Sequence, residues 1–515
     1  MELTKLNIHM NQIKKSITSQ ITLEDDFNVS DIKPDIDSLI TDSSNLAIDS
    51  IKVLDGRILI KGKLEFRILY SSGNTPSLQQ MTGNIGIDEV INMDDITDGD
   101  CVSLNYEIDD LNIGVINSRK ISVRSLITFK VSSESIYDIE TATNAIGENI
   151  YTDKRSINIT QIAECKKDIF RVKESIELPP SYPVISELLW DNTKLRNLST
   201  KLGNNELLIF GEISAYVIYK SDITSNMEWY ENTIPFNGSI PLSGIDESMI
   251  PDVEITLPVK NISIRTDSDG EERILEFDIV LDLNIKVYKE INLDYISDIY
   301  STNSNLCPVY DHVVYNGLIM KNISKCKVND KLKPDMSKRR ILQICGNEGE
   351  VKAEDITVIE NGIKVDGVII VNLMAITDDD SSPLSIIKEV VPFTHTIEAR
   401  DIDNKSLIYI RPTLEHFSTF MNNGNEIEVK ATASLDTLVL SSYSADIITN
   451  IQEEPLDMEL IKNMPGLTGY RVQENDSFFD IAKKFHTTVD DIKETNNLIS
   501  DLPPVNEMLL IVKMI

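Results

Sequence analysis

Apolar side chains fall on every second position through Ile58, Ile60, Leu64, Phe66, Ile68 and Tyr70, with Gly62 inside the run. That is the period of a strand with one buried face. A glycine in such a run predicts a bulge or the close approach of another backbone. The pattern returns through Leu207, Ile209, Gly211, Ile213, Ala215, Val217 and Tyr219, and again through Ile363, Val365, Gly367, Ile369, Val371 and Leu373. Gly211 follows Gly62 by 149 residues, and Tyr219 follows Tyr70 by the same 149. A second alternating strand closes each copy: Ile121 to Val131, Phe277 to Val287, and Ile427 to Leu435.

A proline element precedes each glycine strand. Lys33-Pro34-Asp35 is echoed by Lys333-Pro334-Asp335, and Pro183 stands 149 residues after Pro34 without a following aspartate. Ile36, Leu39 and Ile40 follow Pro34 with the spacing of Ile185, Leu188 and Leu189 after Pro183. Here proline is expected to open a turn, and aspartate to cap a short helical segment. The shared order implies one unit used three times, over 1–150, 151–300 and 301–452. Few long segments of helical period occur before residue 475. The fold class is therefore mainly β: three tandem units of β-sandwich or barrel type, each expected to fold on its own.

The C-terminal end reads differently. Residues 453–465, with Glu453-Glu454-Pro455 and Pro465-Gly466 at its ends, form a charged, proline-punctuated linker. In 466–515, Tyr470 and Val472 mark a short strand. Ser477 and Asp480 have the spacing of a capping box, and Phe478, Ile481, Ala482 and Phe485 make the buried stripe of the helix it opens. Thr488 and Asp491 repeat the box before a shorter helix around Ile492, and a final apolar strand runs from Leu509 to Val512. The order is β-α-α-β.

Charge and chemistry narrow the functional classes. With 83 acidic against 49 basic residues the net charge is −34, which repels nucleic acid and anionic lipid and attracts basic surfaces. Cys101, Cys165, Cys307, Cys326 and Cys345 form no CxxC pair, so they fit a reducing compartment rather than a zinc or disulfide framework. No signal-peptide pattern opens the chain and no apolar run is long enough to span a membrane, so the protein is expected to stay in the compartment that makes it. Gly56 to Leu64 lacks phosphate-loop spacing, and His9, His312, His395, His416 and His486 form no metal motif. The acidic loops at Asp94–Asp100 and Asp267–Glu271 read as solvated turns, not as calcium loops. No catalytic residue, metal site or cofactor is expected.

The proline element followed by the glycine strand ending in Ile68-Leu69-Tyr70 resembles the SPOCS domain of spore-forming Firmicutes, over about residues 11–450. Ala375 stands where Tyr70 and Tyr219 stand in the other copies. The C-terminal module resembles the LysM domain in its Tyr-x-Val strand, Asp476-Ser477 turn, Ile481-Ala482 pair, Phe485, Thr488, Ile492 and Asn496-x-Leu498. Its usual glycines are Asn475 and Asn506, and its closing proline is Val512.

SPOCS repeats followed by LysM resemble the clostridial coat morphogenetic proteins. That resemblance implies a non-enzymatic scaffold in the mother-cell cytosol at the forespore surface. It would bind the stage IV morphogenetic ATPase of the coat's basement layer and recruit other coat proteins. The LysM loops imply a partner- or glycan-binding surface of Asn475, Asp476, Ser477, Phe479, Leu498, Ile499 and Leu502, over a core of Tyr470, Val472, Phe478, Ile481, Ala482, Phe485 and Ile492. Phe479, one step round the helix from the buried stripe, is expected to be at least partly exposed and to anchor a protein partner. Peptidoglycan is the competing ligand, disfavoured by the two missing glycines and by the lack of a route across a membrane.

Overall fold

The computed structural model describes all residues except 74–76, 99, 224–226, 335–339, 380–383, 423–425, 457–458, 460–464 and 513–515, and, for their side chains only, 12 and 13. Asp335 and most of the 453–465 linker fall outside the described residues.

The first unit holds β1 (Glu2–Asn28), β2 (Ser38–Leu54), β3 (Arg57–Ser72), β4 (Ser77–Asn92), β5 (Cys101–Asn117) and β6 (Lys120–Ile146). Strands β1-β6-β5 make one antiparallel sheet and β2-β3-β4 another. The glycine strand is β3 and the closing strand is β6, each central in its sheet. Leu64, Phe66, Ile68 and Tyr70 on one meet Ile127, Phe129 and Val131 on the other in a single core. The unit is thus a sandwich of two three-stranded sheets.

The second unit repeats this order with β7 (Ile150–Glu177), β8 (Glu187–Gly203), β9 (Glu206–Lys220), β10 (Met227–Pro241), β11 (Ile250–Thr266) and β12 (Glu272–Ser301). The third has β13 (Ser304–Leu332), β14 (Ile341–Ile359), β15 (Gly362–Thr377), β16 (Leu384–Glu398), β17 (Leu407–Met421) and β18 (Ile427–Pro455).

The strand glycines do what their position predicts. Opposite each, the neighbouring strand breaks register: at Ile48/Ser50 in β2, Arg196/Ser199 in β8 and Ala353/Asp355 in β14. A Cβ on Gly62 would lie 2.4 Å from the Ala47 carbonyl oxygen, and one on Gly367 2.4 Å from that of Lys352. The bulged strand leans onto backbone there, and no side chain fits.

The proline element needs correcting. No helix follows Pro34; β2 begins at Ser38, and Asp35 caps nothing helical. Its carboxylate accepts from the Ser118 hydroxyl at 2.9 Å and the Arg119 guanidinium at 3.1 Å. The turn is held instead by a distant tyrosine. The Tyr70 hydroxyl donates to the Pro34 carbonyl at 3.1 Å, and Tyr219 donates to Pro183 at 3.3 Å. The constant spacing of proline and tyrosine in two copies records this bond. The third copy, with Ala375, has no hydroxyl to make it.

The three units are not separate beads, as the sequence led us to expect. At the end of each glycine strand the alternation fails: Ile68-Leu69-Tyr70, Val217-Ile218-Tyr219 and Leu373-Met374-Ala375 are buried on both faces. The middle residues Leu69, Ile218 and Met374 point away from their own sandwiches and meet in one cluster with Leu78, Leu189, Trp190, Cys345 and Leu384. At the other end, the long strands run on past their sandwiches as two-stranded ribbons. Ile8, Met10 and Ile139 from the first ribbon pack with Ile159, Leu293 and Tyr295 from the second and Tyr315, Ala445 and Ile447 from the third.

Ion pairs cross every contact between units. Arg67–Asp191 and Lys286–Glu134 join the first to the second. Lys194–Glu348 at 2.9 Å and Arg411–Asp252 join the second to the third. Lys352–Glu107 at 2.6 Å and Lys388–Asp42 at 3.0 Å join the third back to the first. That last contact closes the three sandwiches into a ring around a common axis.

Two predictions follow from a shared axis. Leu69→Ala should cost about 2–5 kcal/mol and, in hydrogen exchange, raise opening rates in β9 and β15 as well as β3; an effect confined to the first unit would show that the units fold separately. Burial alone would raise the Glu348 carboxyl, but Lys194, Asn192 and Lys260 together outweigh it and hold the pKa below its ordinary value. The stability this supplies is complete above the ordinary carboxylate pKa and is lost as pH falls through the lowered one. Glu348→Gln should therefore flatten the acid limb of the stability profile, read by urea midpoints at stepped pH.

Candidate functional site

After the ring come β19 (Leu467–Arg471), α1 (Phe478–Phe485), α2 (Val489–Thr495) and β20 (Met508–Val512). β19 and β20 pair antiparallel, with Tyr470 opposite Leu509. The Ser477 hydroxyl accepts from the Asp480 N–H at 3.0 Å and the Asp480 carboxylate accepts from the Ser477 N–H at 3.2 Å, a complete capping box. Before α2, the Thr488 hydroxyl accepts from the Asp491 N–H at 3.0 Å and donates to the Asp491 carboxylate. His486 closes α1 as a left-handed cap at φ 49°.

Val472, Phe478, Ile481, Ala482 and Ile492 are buried, with Tyr470 and Phe485 edge-to-face at their margin, ring centroids 5.3 Å apart. Asn496 ties α2 to β20. Its amide donates to the carbonyls of Ile492 and Leu510, both at 2.8 Å, and its oxygen accepts from the Leu510 N–H at 2.7 Å. This accounts for an asparagine two residues before Leu498.

The loop residues divide into four groups. Asn475 is exposed at φ 77°, and Asn506 at φ 67°. Both hold the left-handed backbone a glycine would hold, so these two substitutions do not by themselves close the groove. Asp476 is spent on the turn, accepting from the Gln473 N–H at 2.7 Å and the Tyr470 hydroxyl at 2.8 Å, and Ser477 is spent on the helix cap. Ile499 and Leu502 stand in solvent, 97% and 75% exposed, and Val505 and Met508 extend the same apolar stretch.

Phe479 and Leu498 do not join that stretch. Leu498 packs into the module's own core. Phe479 is half-buried, its ring edge-on to Tyr300 of β12 with centroids 5.0 Å apart. Tyr300 stacks in turn on Tyr151 of β7 at 5.1 Å and donates its hydroxyl to the Thr487 carbonyl at 3.0 Å. One helical turn from Phe479, the Lys483 ammonium reaches both oxygens of Asp298, at 2.7 and 2.6 Å. The Tyr310 hydroxyl of the third unit also donates to Asp298, at 3.1 Å. The outer face of α1 is thus seated on the ribbon end of the ring.

Nothing local in the sequence distinguishes Tyr151, Tyr300 and Asp298 from other strand residues. Burial first, then Tyr151 and the nearby Asp491 and Asp490, push the Tyr300 hydroxyl far up, so it remains a donor. Among the described residues no group of three His, Cys, Asp or Glu side chains is placed to hold a metal ion, and no helix is long and apolar enough to cross a membrane.

A family model described as SipL, SPOCS domain matches residues 35–116, 184–266 and 340–422, and a LysM domain model matches 470–512. Each SPOCS match runs from the proline element or just after it to the last residues of the fifth strand, leaving the long ribbon strands outside. No curated protein and no solved structure matches the chain.

The seating can be tested directly. Tyr300→Ala removes the aromatic contact, worth about 0.5–1.5 kcal/mol beyond its buried area, together with the bond to Thr487. Exchange at the α1 amides should rise while the module stays folded; unchanged exchange would contradict the seating. Ile481→Asp places a charge in the buried stripe at a cost of several kcal/mol, and should unfold the module and leave the ring intact, as read by the near-ultraviolet signal of each part.

Proposed function

We propose that this chain, a SipL-type SPOCS protein of three repeats with a LysM module after them, is a non-enzymatic scaffold of spore coat assembly. In this reading the LysM module captures the morphogenetic ATPase of the coat's basement layer, and the ring recruits further coat proteins around the forespore in the mother-cell cytosol. The domain pair supports the sporulation setting.

One observation carries the choice of a protein rather than a glycan as the LysM ligand. Ile499, Leu502, Val505 and Met508 present aliphatic side chains to solvent on one loop and the strand that follows it. Exposed aliphatic clusters on a small domain are desolvated by a protein surface. A sugar polymer instead calls for polar groups and ring faces, and Phe479 is taken up by Tyr300. The seating on Tyr300 and Asp298 leaves this loop free, so the ring and the module can be engaged at the same time.

The backbone at Asn475 and Asn506 supports the second reading, binding of peptidoglycan, because the groove's turns keep their glycine-like conformation. Calorimetry on the full chain separates the two. Ile499→Asp with Leu502→Asp should weaken capture of the ATPase by about 1–3 kcal/mol without changing the melting temperature. Micromolar binding to chitin oligomers, with none to the ATPase, would overturn the protein-partner reading.

A further inference from the structure

Of the five cysteines, Cys101 and Cys165 are exposed, Cys326 and Cys345 are buried, and Cys307 lies between. The exposed two belong to different repeats. Cys101 opens β5 in the first, and Cys165 lies within β7 of the second.

Strand register brings them to one contact. Cys101 stands directly opposite Glu134 on β6, and Cys165 directly opposite Lys286 on β12. Residues opposite one another in an antiparallel pair project from the same face, with Cβ atoms about 4.5–5.5 Å apart. Those two neighbours are joined across the repeats: the Lys286 ammonium meets the Glu134 carboxylate at 2.5 Å, and both side chains are largely buried. Each end of this ion pair thus has one exposed thiol beside it. A second bond holds β7 to β5, from the Lys167 ammonium to the Val102 carbonyl at 3.2 Å. Val102 follows Cys101 in the chain, and Lys167 projects from the same strand face as Cys165, two residues on. The thiols also act on each other. Burial first pushes the Cys165 thiol up, Lys286 draws it down, and Cys101 raises it again, more strongly than Glu134 does. An influence of that order places the two sulfurs close together across the contact.

We propose that Cys101 and Cys165 form a redox staple, a disulfide that joins the first repeat to the second when the surroundings turn oxidising. The oxidant is a small-molecule disulfide. One cysteine thiolate attacks it and expels one thiol; the other cysteine thiolate then attacks the mixed disulfide at the protein sulfur and expels the second. The oxidant's S–S bond breaks and the protein's forms. Two electrons pass to the oxidant, and the two cysteine protons leave on the two released thiols. In a reducing compartment the pair stays as thiols, and this contact is held without a covalent bond. Oxidation closes a loop through β5, β6 and β7, which removes freedom from the opened chain.

The test uses the full chain, oxidised by glutathione disulfide at several protein concentrations. Peptide mapping without reductant should recover Cys101 joined to Cys165, with two fewer free thiols. The yield should not depend on protein concentration, as an intramolecular link requires. The melting temperature should rise by several degrees and return to its starting value on reduction with dithiothreitol. Cys101→Ser and Cys165→Ser, both at exposed positions, should fold as wild type does, carry glutathione on the remaining thiol of the pair and show no rise. Glutathione on both thiols with no internal link would overturn the proposal. So would a link between two molecules, its yield growing with protein concentration, or an internal link that left the melting temperature unchanged.

Discussion

The structure depends on the double burial at the end of each glycine strand. A strand in a two-layer sandwich needs only one apolar face. Leu69, Ile218 and Met374 add a second, and each points out of its own unit. A single unit would leave that face in water. Three units around an axis bury it against one another, and the ring follows. The ribbons satisfy the same demand at the opposite end, where Tyr315 meets Thr141 by a 2.6 Å hydroxyl bond between the third unit and the first. Between these apolar ends the axis is polar, and ion pairs that span units supply its specificity.

Closure also shapes how the LysM module is presented. A module on a free linker would sample many orientations. Here Tyr300 and Asp298 fix it on the ribbon end, through the α1 face that flanks the buried stripe. The docking uses an aromatic contact, a backbone-directed hydroxyl and a half-exposed ion pair. None is large, and exposed pairs contribute little alone. Their sum orients the loop at Ile499 and Leu502 away from the ring, where a partner can reach it.

Much of this was legible in the sequence. The alternation gave the central strands, the repeated order gave three like units, and Ser477 with Asp480 marked the helix start. What stayed hidden depends on residues far apart. Arg67 and Asp191 are 124 positions apart, and no local pattern pairs them. Proline and aspartate favour a helix cap as readily as a turn, and the partner that holds the Pro34 turn, Tyr70, lies 36 residues on. Phe479 read as a free anchor because its own helix leaves it outside the buried stripe; the ring that covers it is a different domain. One clue to closure was present. The runs Ile68-Leu69-Tyr70 and Val217-Ile218-Tyr219 break the period of two, and a strand that does so is buried twice.

Zero-length carbodiimide cross-linking of the full chain, read by mass spectrometry, tests closure most directly. A closed ring predicts covalent links between Lys352 and Glu107 and between Lys388 and Asp42, joining the third repeat to the first, at yields comparable with Lys194–Glu348. Links confined to neighbouring repeats, with none from third to first, would mean an open array and would contradict the account.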